Sequence, residues 1–183
     1  QRSMSRERVR LEALVGEASW LIVLCGLGGG TGTAGAQALA GIARRLKVPT
    51  VFMLTFPFSL EGHGKRRIAD DAIKDLLPIV DVLLCLPNDL LFSTLPTETP
   101  VLQAFELADR ELAKATLGLA DLLKGGSLMP ADFAMLSDVL KERKSFCGIG
   151  VGTADAADSL NLGHQALERM VDSPLLGGVA KLR

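Results

Sequence analysis

Leu21 to Ala34 reads Leu-Ile-Val-Leu-Cys-Gly-Leu-Gly-Gly-Gly-Thr-Gly-Thr-Ala, a short apolar run followed by a glycine loop with two hydroxyls. Glycines lack Cβ atoms, so their backbone N–H groups can approach an anion closely. A helix opening behind the loop aims its positive end at the same spot. Gly28, Gly29, Gly30, Thr31, Gly32 and Thr33 therefore form a candidate phosphate cradle. No Gly-Lys-Ser/Thr closes it, so it is not a Walker loop. The dinucleotide spacing Gly-x-Gly-x-x-Gly fails too: Thr31 stands where a frame from Gly26 needs glycine, and Thr33 where a frame from Gly28 does. A plain strand-to-helix turn needs one or two glycines, and this loop exceeds that.

The elements that must position the cradle follow from the apolar pattern. Trp20–Cys25, Thr50–Leu54 and Val80–Leu86 are short apolar runs, as expected of strands covered on both faces. Helical segments at Ala34–Leu46 and about Lys65–Leu77 separate them. Strand–helix–strand–helix–strand predicts an α/β, Rossmann-like parallel sheet with helices packed on it, and ligands at the carboxyl ends of the strands. A Thr/Pro-rich linker, Ser93–Pro100, precedes a long helix running to Lys124 and closed by Gly125-Gly126. Beyond it come a helix at about Ala131–Lys141, a glycine-punctuated strand over Ser145–Thr153 and a final helix at about Ala154–Val171.

The glycine loop resembles the signature loop of the tubulin/FtsZ superfamily of GTPases, and the whole chain is similar to bacterial FtsZ. Pro57-Phe-Ser-Leu-Glu-Gly62, Leu86-Pro-Asn-Asp89, Gln103-Ala-Phe-Glu-Leu-Ala-Asp109 and Ser173-Pro-Leu-Leu176 follow in the family's order and near its spacing. The resemblance runs from about Leu14 to Leu176. One departure is Ala34, where the family usually has glycine. The resemblance implies the tubulin/FtsZ GTPase fold lacking its first strands, divided as 1–126 (part of the GTP-binding domain with the central helix) and 127–183 (the following loop and the start of a second α+β domain). It also implies GTP or GDP as ligand, with Mg as a candidate companion ion. The chain is then a middle portion of a longer protein, which also suits its 48% hydrophobic residues.

Four further positions complete the expected site. In the family the glutamate matching Glu61 holds the ribose; a solvated loop glutamate is the plain alternative. The family's arginine four residues later is Lys65 here, which keeps the charge without bidentate geometry, and Arg66 is the candidate replacement. Asn88 offers a donor and an acceptor, which suits the edge of guanine, although Asn also caps helices well. Phe105 and Asp109, four apart, share a helix face: a ring to stack on the base and a carboxylate to accept from guanine N1 and N2. Core packing competes for Phe105 taken alone.

Hydrolysis in the superfamily occurs between subunits, at a loop that resembles Asn-x-Asp-Phe-Ala-Asp in FtsZ. This chain reads Pro130-Ala-Asp-Phe-Ala-Met135. Asp132 is the catalytic candidate, although an aspartate at a helix start is also stabilising by itself. Met135 supplies neither a charge nor a strong acceptor, so GTP turnover is expected to be weak or absent.

Charge is balanced at −1 and the 20 basic residues are scattered, so nothing suggests a nucleic-acid or anionic-membrane footprint. Cys25, Cys85 and Cys147 are isolated and apolar in setting, which reads as buried reduced thiols of a cytoplasmic protein. Neither His63 nor His164 has a ligand partner at metal spacing. The charged opening Gln1–Arg8 reads as no secretory signal, and no apolar run approaches the ~18 residues of a membrane span.

The expected function is a cytoskeletal, cell-division-type GTP-binding protein. Its partners would be further copies of itself, head to tail, a heterologous contact that makes filaments, together with other FtsZ or division proteins. The alternative is a non-hydrolysing FtsZ-like paralogue acting as a regulatory or structural partner. A dinucleotide oxidoreductase is disfavoured by the glycine spacing and the lack of an acidic ribose reader ~20 residues on.

Overall fold

The computed structural model describes residues 2–92, 95–96, 98–124, 133–135, 138, 149–154, 161–173 and 176. The order is α1 (Arg2–Gly16), β1 (Leu21–Gly26), α2 (Gly30–Leu46), β2 (Thr50–Phe56), a 3-10 turn (Ser59–Glu61), α3 (His63–Leu76), β3 (Val82–Pro87), α4 (Asn88–Phe92), α5 (Val101–Leu123) and α6 (Leu162–Val171). The strands form a parallel sheet in the order β1-β2-β3, with Leu21 opposite Thr50 and Gly26 opposite Thr55. The expected α/β class and its three strands are therefore present.

The chain divides into two compact units, Gln1–Cys85 with Ala131–Phe146, and Leu86–Pro130 with Cys147–Arg183. In the first, β2 is buried on both faces, with Val51, Phe52, Met53 and Leu54 wholly enclosed. Val23, Phe52, Leu54 and Phe56 meet small residues of α2 (Ala36, Ala40) and of α3 (Ala69, Ala72). Alanines bring both helices close to the sheet, and close packing fixes where their N-termini stand. The Asp81 carboxylate accepts from the Thr50 N–H (2.9 Å) and hydroxyl (3.2 Å), so β3 begins at Val82 rather than at Val80.

The sequence reading did not foresee α1. Among its described side chains Val9 and Leu14 are exposed and only Val15 is buried, against Ile42, Ala43 and Val48. Arg45 of α2 pairs with Glu12 across the two helices, and Arg8 pairs with Glu12 within α1.

In the second unit, α5 buries Ala104, Ala108, Glu111, Ala115 and Leu119, one stripe at three-to-four spacing. The Glu111 carboxylate, nearly enclosed, pairs with Lys114 at 2.7 Å. The final helix starts at Leu162, not at Ala154, which is not helical; residues 155–160 lie outside the described set. Residues 149–154 form no strand, and 145–148 lie outside the described residues. Glycine at 150 and 152 weakens strand propensity, and the segment instead meets α6, where Arg169 donates to the Thr153 carbonyl at 2.6 Å.

Candidate functional site

The glycine loop is shorter than expected, because α2 starts at Gly30 rather than at Ala34. Thr31, Gly32 and Thr33 therefore lie in its first turn. Two glycines make that possible. A Cβ on Gly32 would stand 2.1 Å from the Gly26 carbonyl oxygen, so the turn can sit on the end of β1 only if residue 32 is glycine. Gly28 has φ +90, and a Cβ there would lie 2.8 Å from the Lys65 carbonyl oxygen. The loop is tied at both ends: Leu27 N–H donates to the Thr55 carbonyl (2.9 Å), and Gly28 N–H to the buried Thr33 hydroxyl (3.1 Å).

What remains is open. Gly29 is the N-cap residue of α2, with no side-chain cap hydrogen bond. Gly29, Gly30 and Thr31 are exposed, and a Cβ on either glycine would meet nothing within 4 Å. The first-turn N–H groups of a helix have no intrahelical partners, so this end presents donors and a positive dipole to solvent.

Glu61, Lys65 and Arg66 belong to the same unit. Phe58-Ser-Leu-Glu61 closes as a turn: the Phe58 carbonyl accepts from the Glu61 N–H at 2.9 Å, Glu61 Oε1 accepts from the Phe58 N–H at 2.9 Å and Oε2 from Lys65 Nζ at 3.0 Å. Phe58 stands where the sequence signature of a capping box has Ser or Thr, so the sequence carries no signal for this bond. Arg66 donates to the Ser59 hydroxyl at 3.1 Å and its guanidinium lies 5.5 Å from the centre of the Phe56 ring. Sequence reasoning missed Ser59 and Phe56, and their types and spacing carry no signal for it. The structure thus joins Gly28–Thr33 to the start of α3 through the contact of Gly28 with the Lys65 backbone.

In the second unit, Asn88 is buried and opens α4 directly after β3. None of the described hydrogen bonds uses its side-chain amide. Phe105 and Asp109 lie one turn apart on the exposed side of α5. Asp132 and Pro130 lie outside the described residues, whereas Met135 is helical and exposed. Burial raises the Cys25 thiol above its ordinary 9.0. Burial, with the nearby Asp70 charge, pushes Cys85 up to about 12. Among the described residues no helix is long and apolar enough to cross a membrane, and no cluster of three or more His, Cys, Asp or Glu could hold a metal.

A parallel sheet whose first strand runs into an uncapped, glycine-paved helix start defines an α/β protein of the Rossmann-like class. The tubulin/FtsZ family, GTPase domain, matches residues 2–96, and the chain belongs to that family. It is similar to cell division protein FtsZ of Pseudomonas aeruginosa, 33% identical over 94% of this chain and 43% of that protein. It is also similar to cell division protein FtsZ 1 of Pyrococcus woesei, 36% identical over 93% and 45%. The solved structure of an empty FtsZ dimer from M. jannaschii matches with a TM-score of 0.78 at 32% identity, over 91% of this chain and 47% of that one. CetZ from Methanosaeta thermophila, 19% identical with a TM-score of 0.69, shares the fold. The chain spans less than half the length of the curated relatives it matches.

Proposed function

We propose that this chain binds GTP or GDP and serves, in the cytoplasm, a cell-division-type cytoskeletal protein that assembles head to tail with copies of itself and hydrolyses GTP weakly or not at all. The observation that carries the reading is the uncapped start of α2, where Gly29, Gly30 and Thr31 are exposed and no side chain caps the helix end. An anion there finds donors already in place. Mg would travel with the phosphates, keeping several of its waters.

Glu61 and Lys65 would serve the ribose side. Lys65, paired with Glu61, would supply the charge that the family's arginine carries, and Arg66, engaged by Ser59 and Phe56, stands next to it. Asn88, Phe105 and Asp109 would read the base, the ring by stacking and the polar groups by hydrogen bonds to the guanine edge. Asp132 is the one acidic residue left in Pro130–Met135 to orient a water. Phosphoryl transfer depends on such positioning, which methionine at 135 does not provide. The names of the relatives and the solved dimer support division and self-assembly.

The test is fluorescent-GTP binding and light scattering on the full-length polypeptide. GTP-dependent polymers with slow turnover are expected. No nucleotide binding would refute the whole reading, and turnover at an ordinary FtsZ rate, abolished by Asp132→Ala, would refute weak hydrolysis. A second reading, a non-hydrolysing paralogue acting as a regulatory or structural partner, is favoured by Pro130 and Met135 together. It predicts GTP binding without polymers.

A further inference from the structure

The two threonines of the glycine loop do different things. Thr31 is exposed. Thr33, in the first turn of α2, is buried, and its hydroxyl reaches back five residues to accept the Gly28 N–H at 3.1 Å. Gly28 is also pressed from the other side, where the Lys65 backbone leaves no room for a Cβ. Lys65 in turn holds Glu61 at 3.0 Å, and Glu61 holds the Phe58 N–H.

The geometry points to Thr33 as a positioning residue: its hydroxyl clamps Gly28 against the start of α3, so that the phosphate-facing loop and the Glu61–Lys65 segment are held as one piece. This rests on the reading of the loop as a nucleotide site. The clamp itself does not need the nucleotide, and the two ideas fail separately. A freed Gly28, with φ +90, would let the turn before Gly29 swing and the exposed amides of α2 lose their common aim. The donors would still exist, but ordering them would fall to the ligand.

The test measures backbone amide exchange of Gly28 and Gly29 by NMR in the ligand-free chain, and GTP affinity in parallel. In the wild type, Gly28 exchanges at least about tenfold more slowly than Gly29, the weight of one buried hydrogen bond. Thr33→Val speeds Gly28 exchange about tenfold and weakens GTP binding by a similar factor, while Thr33→Ser restores both, which a purely steric role of residue 33 would not do. Thr31→Val weakens GTP binding without altering Gly28 exchange. Wild-type Gly28 exchanging as fast as Gly29 overturns the clamp, as does a Thr33→Val protein that keeps Gly28 protected. If Thr33→Val fails to fold, the wild-type comparison and Thr33→Ser decide. Wild-type protein that protects Gly28 but ignores GTP refutes the nucleotide reading and leaves the clamp standing as a fold device.

Discussion

Gly32→Ala isolates how the cradle is built. The added methyl would stand 2.1 Å from the Gly26 carbonyl oxygen, and contacts under 3.0 Å essentially do not occur, so the helix start must back away from β1 by about 0.9 Å (3.0 − 2.1). The neighbour is backbone in a paired strand and cannot rotate aside. The shift strains two hydrogen bonds, Leu27 to Thr55 at 2.9 Å and Gly28 to Thr33 at 3.1 Å. Each contributes about 1 kcal/mol. Overpacking where Ala36 and Ala40 touch the sheet adds about 1–3 kcal/mol, while alanine's better helix propensity returns about 1 kcal/mol. The net expectation is a loss of about 2–4 kcal/mol, or roughly 4–16 °C in Tm for a chain of this size. Gly41→Ala is the control: it lies in the same helix with nothing within 4 Å of the new Cβ, and should stabilise by about 0.5–1 kcal/mol. Urea unfolding of the three proteins decides. A Gly32→Ala protein within about 0.5 kcal/mol of wild type, or one more stable than Gly41→Ala, would show that the helix does not rest on the Gly26 carbonyl.

Glu61→Ala removes the acceptor for the Phe58 N–H and should cost about 1 kcal/mol, while Glu61→Gln keeps an acceptor and should cost less than about half of that; equal thermal shifts would mean that the Lys65 ion pair, not the turn, matters. Cys85, its pKa raised from 9.0 to about 12 by burial and by Asp70, keeps its proton in the folded state, whereas an unfolded cysteine loses it. Its contribution to stability is thus complete below pH 9.0 and lost as pH rises through about 12. Cys85→Ala should flatten the alkaline fall in stability, and Cys85 should resist thiol reagents until the chain unfolds; labelling in the native state at pH 8 would contradict this. Met135→Asp should raise GTP turnover at least about tenfold if the missing acid limits hydrolysis; an unchanged rate would place the defect elsewhere, with Pro130 the next residue to change.

Much of the fold was legible because the core pattern is continuous. Thr50–Leu54 is an unbroken apolar run, and its burial on both faces follows from helices packing on a parallel sheet. The glycine loop was legible as a phosphate cradle but misjudged in length, since loop and first helical turn look alike when both are made of Gly and Thr. Only the Gly32–Gly26 approach tells them apart, and it is a three-dimensional fact. Helix α1 gave no period to read. The segment at 149–154 looked like a strand because Ile149 and Val151 alternate with glycine, yet alternation of that kind fixes no pairing partner. Glu61 was found as a site residue, but its bond to the Phe58 N–H depends on the turn between them.

The four glycines of the motif serve two different ends. Gly32 and Gly28 are required by backbone packing, the first against Gly26 and the second against Lys65. Gly29 and Gly30 face open space, where a side chain would meet no protein atom. Half of the motif therefore answers to the fold and half to whatever approaches the helix start. A chain that had lost GTP turnover would still need Gly28 and Gly32 to join β1 to α2, so an intact loop says little about hydrolysis. Gly29 and Gly30 are different, because nothing in the fold demands them. A chain that no longer bound an anion could accept alanine at either position and gain helix propensity at residue 30. Retaining glycine at both is what binding would require, and Gly29→Val with Gly30→Val should therefore weaken GTP binding at least about tenfold while leaving thermal stability within about 1 kcal/mol of wild type. A double variant that binds GTP normally would mean that the ligand does not approach this helix.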